Sequence, residues 1–277
     1  MIGILLTTIG TFFDEISSTA GKWNINHRKE SLYTFGFLNL FWALLFFIIL
    51  AIVRQSFVFD VASVPLTILF IIAEIAQIFS TLHAIVIAER STWGFLQVLT
   101  IPSLLLVDTL LGYQLTLDSL IGISIIIISL LFLFINHGLN SRGMGYILFS
   151  TFNAVLTLSL YKYLITNYNS VEAQQIVSIP FFLIFLFIMA RWKSQENPFK
   201  FLFKKEFIVQ SFSKGIGGML ISFGYLYAPA SVISSARRGT AIMAAIITGN
   251  TYFHEKHIVI KLLAFVGIIS GLILLVV

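Results

Sequence analysis

From Ser31 to Val53 the chain carries no charged residue, and from Ser119 to Ser141 again none. A transmembrane helix needs about 20 apolar residues to cross about 30 Å of hydrocarbon, and runs of this kind recur along the whole sequence. They are continuous rather than alternating, which argues against a porin-like barrel. Composition agrees. Of 277 residues, 58% are hydrophobic and 10% charged, with a mean hydropathy of +0.98, whereas a soluble domain carries about 25% charged residues. This argues against a soluble enzyme, a disordered chain and, despite the formal charge of +5, a nucleic-acid binder. Cysteine is absent, so disulfides, thiol catalysis and Cys-ligated metals are out together.

The pattern predicts ten spans, at 3–21, 32–53, 63–88, 92–112, 117–136, 143–165, 170–191, 206–227, 230–250 and 257–277. Ten helices take roughly 200 residues, which leaves short connections and no soluble domain. The first span reads as a retained helix rather than a signal peptide, because no Lys or Arg precedes Lys22 and no A-x-A site follows. Lys22, Arg28, Lys29, Arg90, Arg142, Arg191, Lys193, Lys200, Lys204, Lys205, Lys256 and Lys261 all lie on or beside the loops of one side. By the positive-inside rule that side is cytoplasmic, with both termini opposite. The expected location is a bacterial-type inner membrane, spanned many times.

The halves resemble each other at an offset of about 142 residues. Gly3 falls on Gly145, Thr8 on Ser150, Thr11 on Asn153, Glu15 on Thr157, Gly122 on Ala264 and Ser129 on Gly271. Two five-helix units follow, 1–137 and 143–277. An odd number of helices sets the second upside down relative to the first, and inverted repeats are a transporter architecture with the site near the midplane.

The first half has Pro102, then Leu111-Gly112-Tyr113-Gln114-Leu115-Thr116 and Gly122. The second has Ser235-Ala236-Arg237-Arg238-Gly239-Thr240, then Phe253-His254-Glu255-Lys256, then Gly267 to Gly271. Over nearly its whole length the chain resembles an EamA-type member of the drug/metabolite transporter superfamily. Gln114 stands where that family shows a Glu, and the family's termini are usually cytoplasmic, opposite to the side the loop charges indicate. The resemblance implies an all-α membrane protein built as a 5+5 inverted repeat. Its central cavity would be lined by the first, third, fourth, sixth, eighth and ninth helices.

Ionisable residues inside apolar spans cost about 2.5–3.5 kcal/mol on insertion scales, so they mostly face a cavity or a partner. In the first helix, Thr7, Thr11, Asp14 and Ser18 share a stripe at 100° per residue, with Glu15 beside it. Tyr146, Ser150, Asn153 and Thr157 form a comparable stripe in the sixth. Such hydroxyls either bond their own helix or line a cavity, and the matching stripes favour lining, with Thr11 and Asn153 as substrate contacts. Glu74 sits mid-span with Gln77 and Thr81 on its face, while His83 points away and reads as a packing residue. Lys214 lies near the repeat partner of Glu74, where the two either pair or grip the ends of a zwitterion, unless Lys214 snorkels to the interface. Arg237 and Arg238 follow Pro229 by roughly 12–13 Å of helix, too deep for both to reach headgroups comfortably, though an interfacial anchor is the alternative. Guanidinium groups grip carboxylate or phosphate through paired donors. The segment also resembles the basic pair of the phosphate-sugar and nucleotide-sugar branches, which implies anion contact by Arg238 first and Arg237 second. Glycines at 215, 217 and 218 and Pro180 suit helices that flex.

The function expected from these residues is secondary transport of a small anionic or zwitterionic metabolite by alternating access. Arg238, Arg237, Lys214, Asn153 and Thr11 are the substrate-binding candidates, and Glu74, Asp14 and Glu15 the coupling or countercharge candidates. No Walker sequence occurs, no catalytic residue, cofactor or metal is expected, and small residues at helical spacing give no reason to infer more than a monomer. Proton coupling and exchange are both consistent with the acids. The alternatives are multidrug efflux of cations and a lipid-modifying membrane enzyme, although no H-E-x-x-H, G-x-S-x-G or aspartate-rich metal motif is present.

Overall fold

The computed structural model describes residues 2–110, 117–136, 139–228 and 230–276. Among them the chain is helical, without strands. The α-helices are α1 (Ile2–Asn26), α2 (Leu32–Arg54), α3 (Val64–Ile87), α4 (Arg90–Gln97), α5 (Thr100–Leu110), α6 (Leu117–Ile135), α7 (Met144–Asn167), α8 (Val171–Lys193), α9 (Lys205–Tyr227), α10 (Ala230–Phe253) and α11 (Ile258–Val276).

The predicted fourth span, 92–112, needs correction, because it is two helices starting at Arg90 and broken at Val98-Leu99. Pro102 explains the break. Its nitrogen cannot donate to Val98 and its ring crowds that carbonyl. The chain tightens there, with Val98 N–H on Phe95 O at 3.1 Å and Ile101 N–H on Val98 O at 2.9 Å. By contrast α8 runs through Pro180 as one helix. The Leu111–Thr116 motif, with Gln114, and Pro229 lie outside the described residues.

α2, the segment 61–87, α7 and α8 are each long and apolar enough to cross a membrane, as expected of a membrane protein. Polarity is turned outside in. On α1 the buried residues include Thr7, Thr11, Asp14 and Ser18, while Leu5, Ile9, Phe12 and Ile16 are exposed. The same holds for α8, where Glu172, Gln174 and Ser178 are buried and Phe181, Ile184 and Ile188 exposed.

α1 packs along α9, α3 along α7, α6 along α11, and α2 along both α8 and α9, while α10 packs on α1, α4, α5 and α11. The α1–α9 seam is antiparallel and depends on glycine. A Cβ on Gly10 would lie 2.8 Å from the Gly217 carbonyl oxygen, and one on Gly217 2.6 Å from that of Gly10. Side chains this small let backbones approach closely. Gly271 meets the Gly122 carbonyl in the same way, with a Cβ separation of 2.7 Å. The α3–α7 seam is polar, with Asn153 donating to Ala73 O at 2.9 Å and Gln77 to Ser150 at 2.8 Å. α2 and α8 are tied at both ends. Arg54 and Ser56 donate to Glu172 at 2.9 and 2.6 Å, and at the opposite end the Ser31 N–H and Thr34 hydroxyl donate to Glu196 at 3.0 and 2.5 Å. The larger core gathers Phe35, Phe47, Phe70, Phe182 and Tyr225. A second cluster, around Phe95, Ile126, Ile242 and Ile268, joins α4, α6, α10 and α11.

Candidate functional site

The α1–α9 seam brings Asp14 against Lys214, and α10 lays Arg237 beside them. Lys214 pairs with one Asp14 oxygen, and Arg237 with the other at 3.2 Å. Asp14 is 7% exposed. These three residues stand on the wall of a half-open cavity of about 300 Å³ that Glu74 and Arg238 also line, near the lower limit for ligand pockets. Five ionisable side chains from α1, α3, α9 and α10 thus meet in one chamber, three cations against two carboxyls.

Arg238 differs from its neighbours. It is 8% exposed, its Nε has no hydrogen-bond partner, and among the described residues no carboxylate forms an ion pair with it. Successive helical positions point about 100° apart, which is why Arg237 reaches Asp14 while Arg238 does not. Glu74 and Thr157 both line the chamber; the described ion pairs do not include Glu74. Lys214, expected near Glu74, is paired with Asp14 instead. The rest of the wall is mixed. Phe35, Phe70, Trp93 and Phe182 supply apolar faces, and Tyr161 and Tyr225 phenolic ones.

The remaining predicted residues stand outside this wall. Thr11 donates to Thr7 O at 2.7 Å, within its own helix. Asn153 is occupied holding α7 to α3, through Ala73 O and through Gln77 at 3.0 Å. Glu15 turns the other way and pairs with Arg90. His83 stacks on Tyr146 with ring centroids 5.0 Å apart.

Arg90 belongs to a second constellation that sequence reasoning missed, because Glu89-Arg90-Ser91 reads as a loop. The structure buries Arg90 to 1% exposure at the start of α4. The first N–H groups of a helix have no partner within it and carry its positive end. Here the Glu255 carboxylate, from the α10–α11 connection, takes them. It accepts from Arg90 N–H at 2.6 Å, Ser91 N–H at 3.2 Å, the Ser91 hydroxyl, and Lys261 at 3.1 Å. Burial pushes the Glu255 carboxyl up, but the Ser91 hydroxyl, Lys261 and the Arg90 N–H outweigh it and hold the group below the usual carboxylate range. Gly249 makes room, since a Cβ there would lie 2.7 Å from a Glu255 oxygen. Lys22 of α1 donates to Ala88 O beside this clasp. The clasp positions the cavity wall, because Trp93 and Gln97 of α4 both line the chamber. Among the described residues no group of His, Asp and Glu gathers as a metal site would require.

No protein-family model and no curated protein sequence matches the chain.

Proposed function

We propose that the chain is a multi-pass secondary transporter of the inner membrane that moves a small anionic or zwitterionic metabolite by alternating access, a resemblance to EamA-type drug/metabolite transporters included. The observation that carries the reading is Arg238. A buried guanidinium with no carboxylate partner among the described residues, facing a chamber whose described cations outnumber its acids, is a seat for an incoming carboxylate or phosphate.

The outward apolar faces support immersion in a bilayer. The helix pairing supports the 5+5 repeat. Exchanging the first five spans for the last five turns the α1–α9 seam into α7–α3 and the α1–α10 contact into α7 against α4 and α5. The same exchange leaves α2–α8 and α6–α11 paired with themselves. An acid such as Glu74, with no ion pair among the described residues and on the same cavity wall as these cations, suits a proton-coupling or countercharge role.

A thermal-stability screen of the purified protein against organic anions, zwitterions and cationic drugs tests the reading. Anions or zwitterions should stabilise it, and Arg238→Ala should weaken that response about 10–100-fold, the worth of a charged hydrogen bond, while leaving the fold intact. Stabilisation by cationic drugs with anions inert would turn the assignment to drug efflux. In proteoliposomes, Glu74→Gln should abolish the response of uptake to a pH gradient; an unchanged response would remove Glu74 from coupling.

A further inference from the structure

The connection between α8 and α9, residues 194–204, is the longest between the described helices. With its flanks it presents Arg191, Lys193, Lys200, Lys204 and Lys205, all exposed. Trp192, Phe199 and Phe203 are interleaved with them at 72%, 53% and 77% exposure. The one acid between 191 and 205, Glu196, is turned inward to the start of α2.

This face is rigid. Pro198 and Leu202 are buried beneath it. Asn197 caps the short 3-10 turn at 198–200, accepting from Phe199 N–H at 3.2 Å. The Phe199 ring packs on Phe37 and Phe187, with centroids 5.1 and 5.6 Å away. Lys193 lies over Trp192 at 4.8 Å and Lys204 over Phe201 at 4.7 Å. The ammonium groups are therefore displayed from a packed platform whose Phe199 ring is seated on α2 and α8.

We propose that this platform docks the headgroups of anionic phospholipids. Lysines close to a membrane surface each contribute about a factor of five in affinity for anionic lipid, and aromatic rings settle at headgroup level beside them. Exposed Trp192 and Phe203 between the cations fit a lipid surface better than a soluble acidic peptide, which would leave both rings in water. The proposal rests on the bilayer reading, not on transport.

The test is native mass spectrometry of the whole protein with phosphatidylglycerol and phosphatidylcholine. Wild type should retain phosphatidylglycerol preferentially. Lys200→Gln/Lys204→Gln/Lys205→Gln should lose that preference by on the order of 100-fold. Arg28→Gln/Arg142→Gln, which removes exposed cations elsewhere, should keep it. A lysine variant that keeps the preference overturns the proposal. So does an arginine variant that loses as much, or soluble polyglutamate that competes as well as the lipid. Failure of the protein to enter phosphatidylcholine vesicles at all would instead overturn the bilayer reading, and this proposal with it.

Discussion

Asp14 and Arg237 form an ion pair at 3.2 Å although 223 positions separate them in the chain, and Lys214 takes the other carboxylate oxygen. Asp14 is a tethered anion already seated among the cations of the chamber. Asp14→Asn should therefore have two effects. Stability should fall by about 2–3 kcal/mol, less than the 3–5 of a fully buried broken pair, because the side chains of Lys214 and Arg237 are 31% and 27% exposed. Binding of small anions should tighten, since two cations are freed. Thermal unfolding with and without the anions found by screening reads both.

The clasp gives a second expectation, one that exploits the absence of native cysteine. A single cysteine at Ser18, on the cavity wall, should react slowly with a membrane-impermeant thiol reagent applied from the Glu255 end. Adding Glu255→Gln should speed that labelling about 10–100-fold, because it removes charge-assisted bonds that fasten the start of α4. Equal rates in the two backgrounds would deny the clasp any part in closing that end.

Two adjacent glycines of α9 should respond oppositely to the same substitution. Gly217→Ala forces a methyl against the Gly10 carbonyl and should cost about 1–3 kcal/mol. Gly218 has nothing within 4 Å of a new Cβ, so Gly218→Ala should be neutral or stabilise the helix by about 0.5–1 kcal/mol. Paired unfolding curves decide it.

Glu30, in the connection before α2, should make stability depend on pH. It is 3% exposed and accepts from Gln210 at 2.5 Å. Burial pushes its carboxyl up to about 8, with Glu196 adding to the shift and Gln210 opposing it. The folded protein therefore holds a proton there that the unfolded chain releases near its ordinary value of 4.5. The stabilisation is complete below about 4.5, falls as pH rises toward 8, and is gone above it, amounting to a few kcal/mol. Glu30→Gln should flatten that slope in a pH series of unfolding temperatures and exceed wild type above pH 8.

Much of the helix pattern was legible, because an apolar run long enough to span has few alternatives. That Asp14, Glu74, Lys214, Arg237 and Arg238 should find an interior was legible for the same reason, as charge in an apolar stretch has few places to go. Which of them pair was not. Lys214 meets Asp14 rather than Glu74 because Gly10 and Gly217 set the α1–α9 register, and nothing local to either helix announces that contact. Arg90 was hidden for the opposite reason. Three polar residues in a row look like a loop until Glu15 and Glu255, both distant in the chain, arrive to neutralise and cap them. Thr11 and Asn153 share a helix face with true wall residues, and periodicity could not tell a hydroxyl or amide facing a neighbouring helix from one facing space.

The fastening of α2 to α8 at both extremities has a mechanical consequence. A rod pinned at one end can swing, but a pair riveted at both, by Glu172 at one and Glu196 at the other, behaves as a keel. On the proposed transport reading, movement at the Glu255 end would fall to the far flank, where α4 and α5 are already separated at Val98-Leu99.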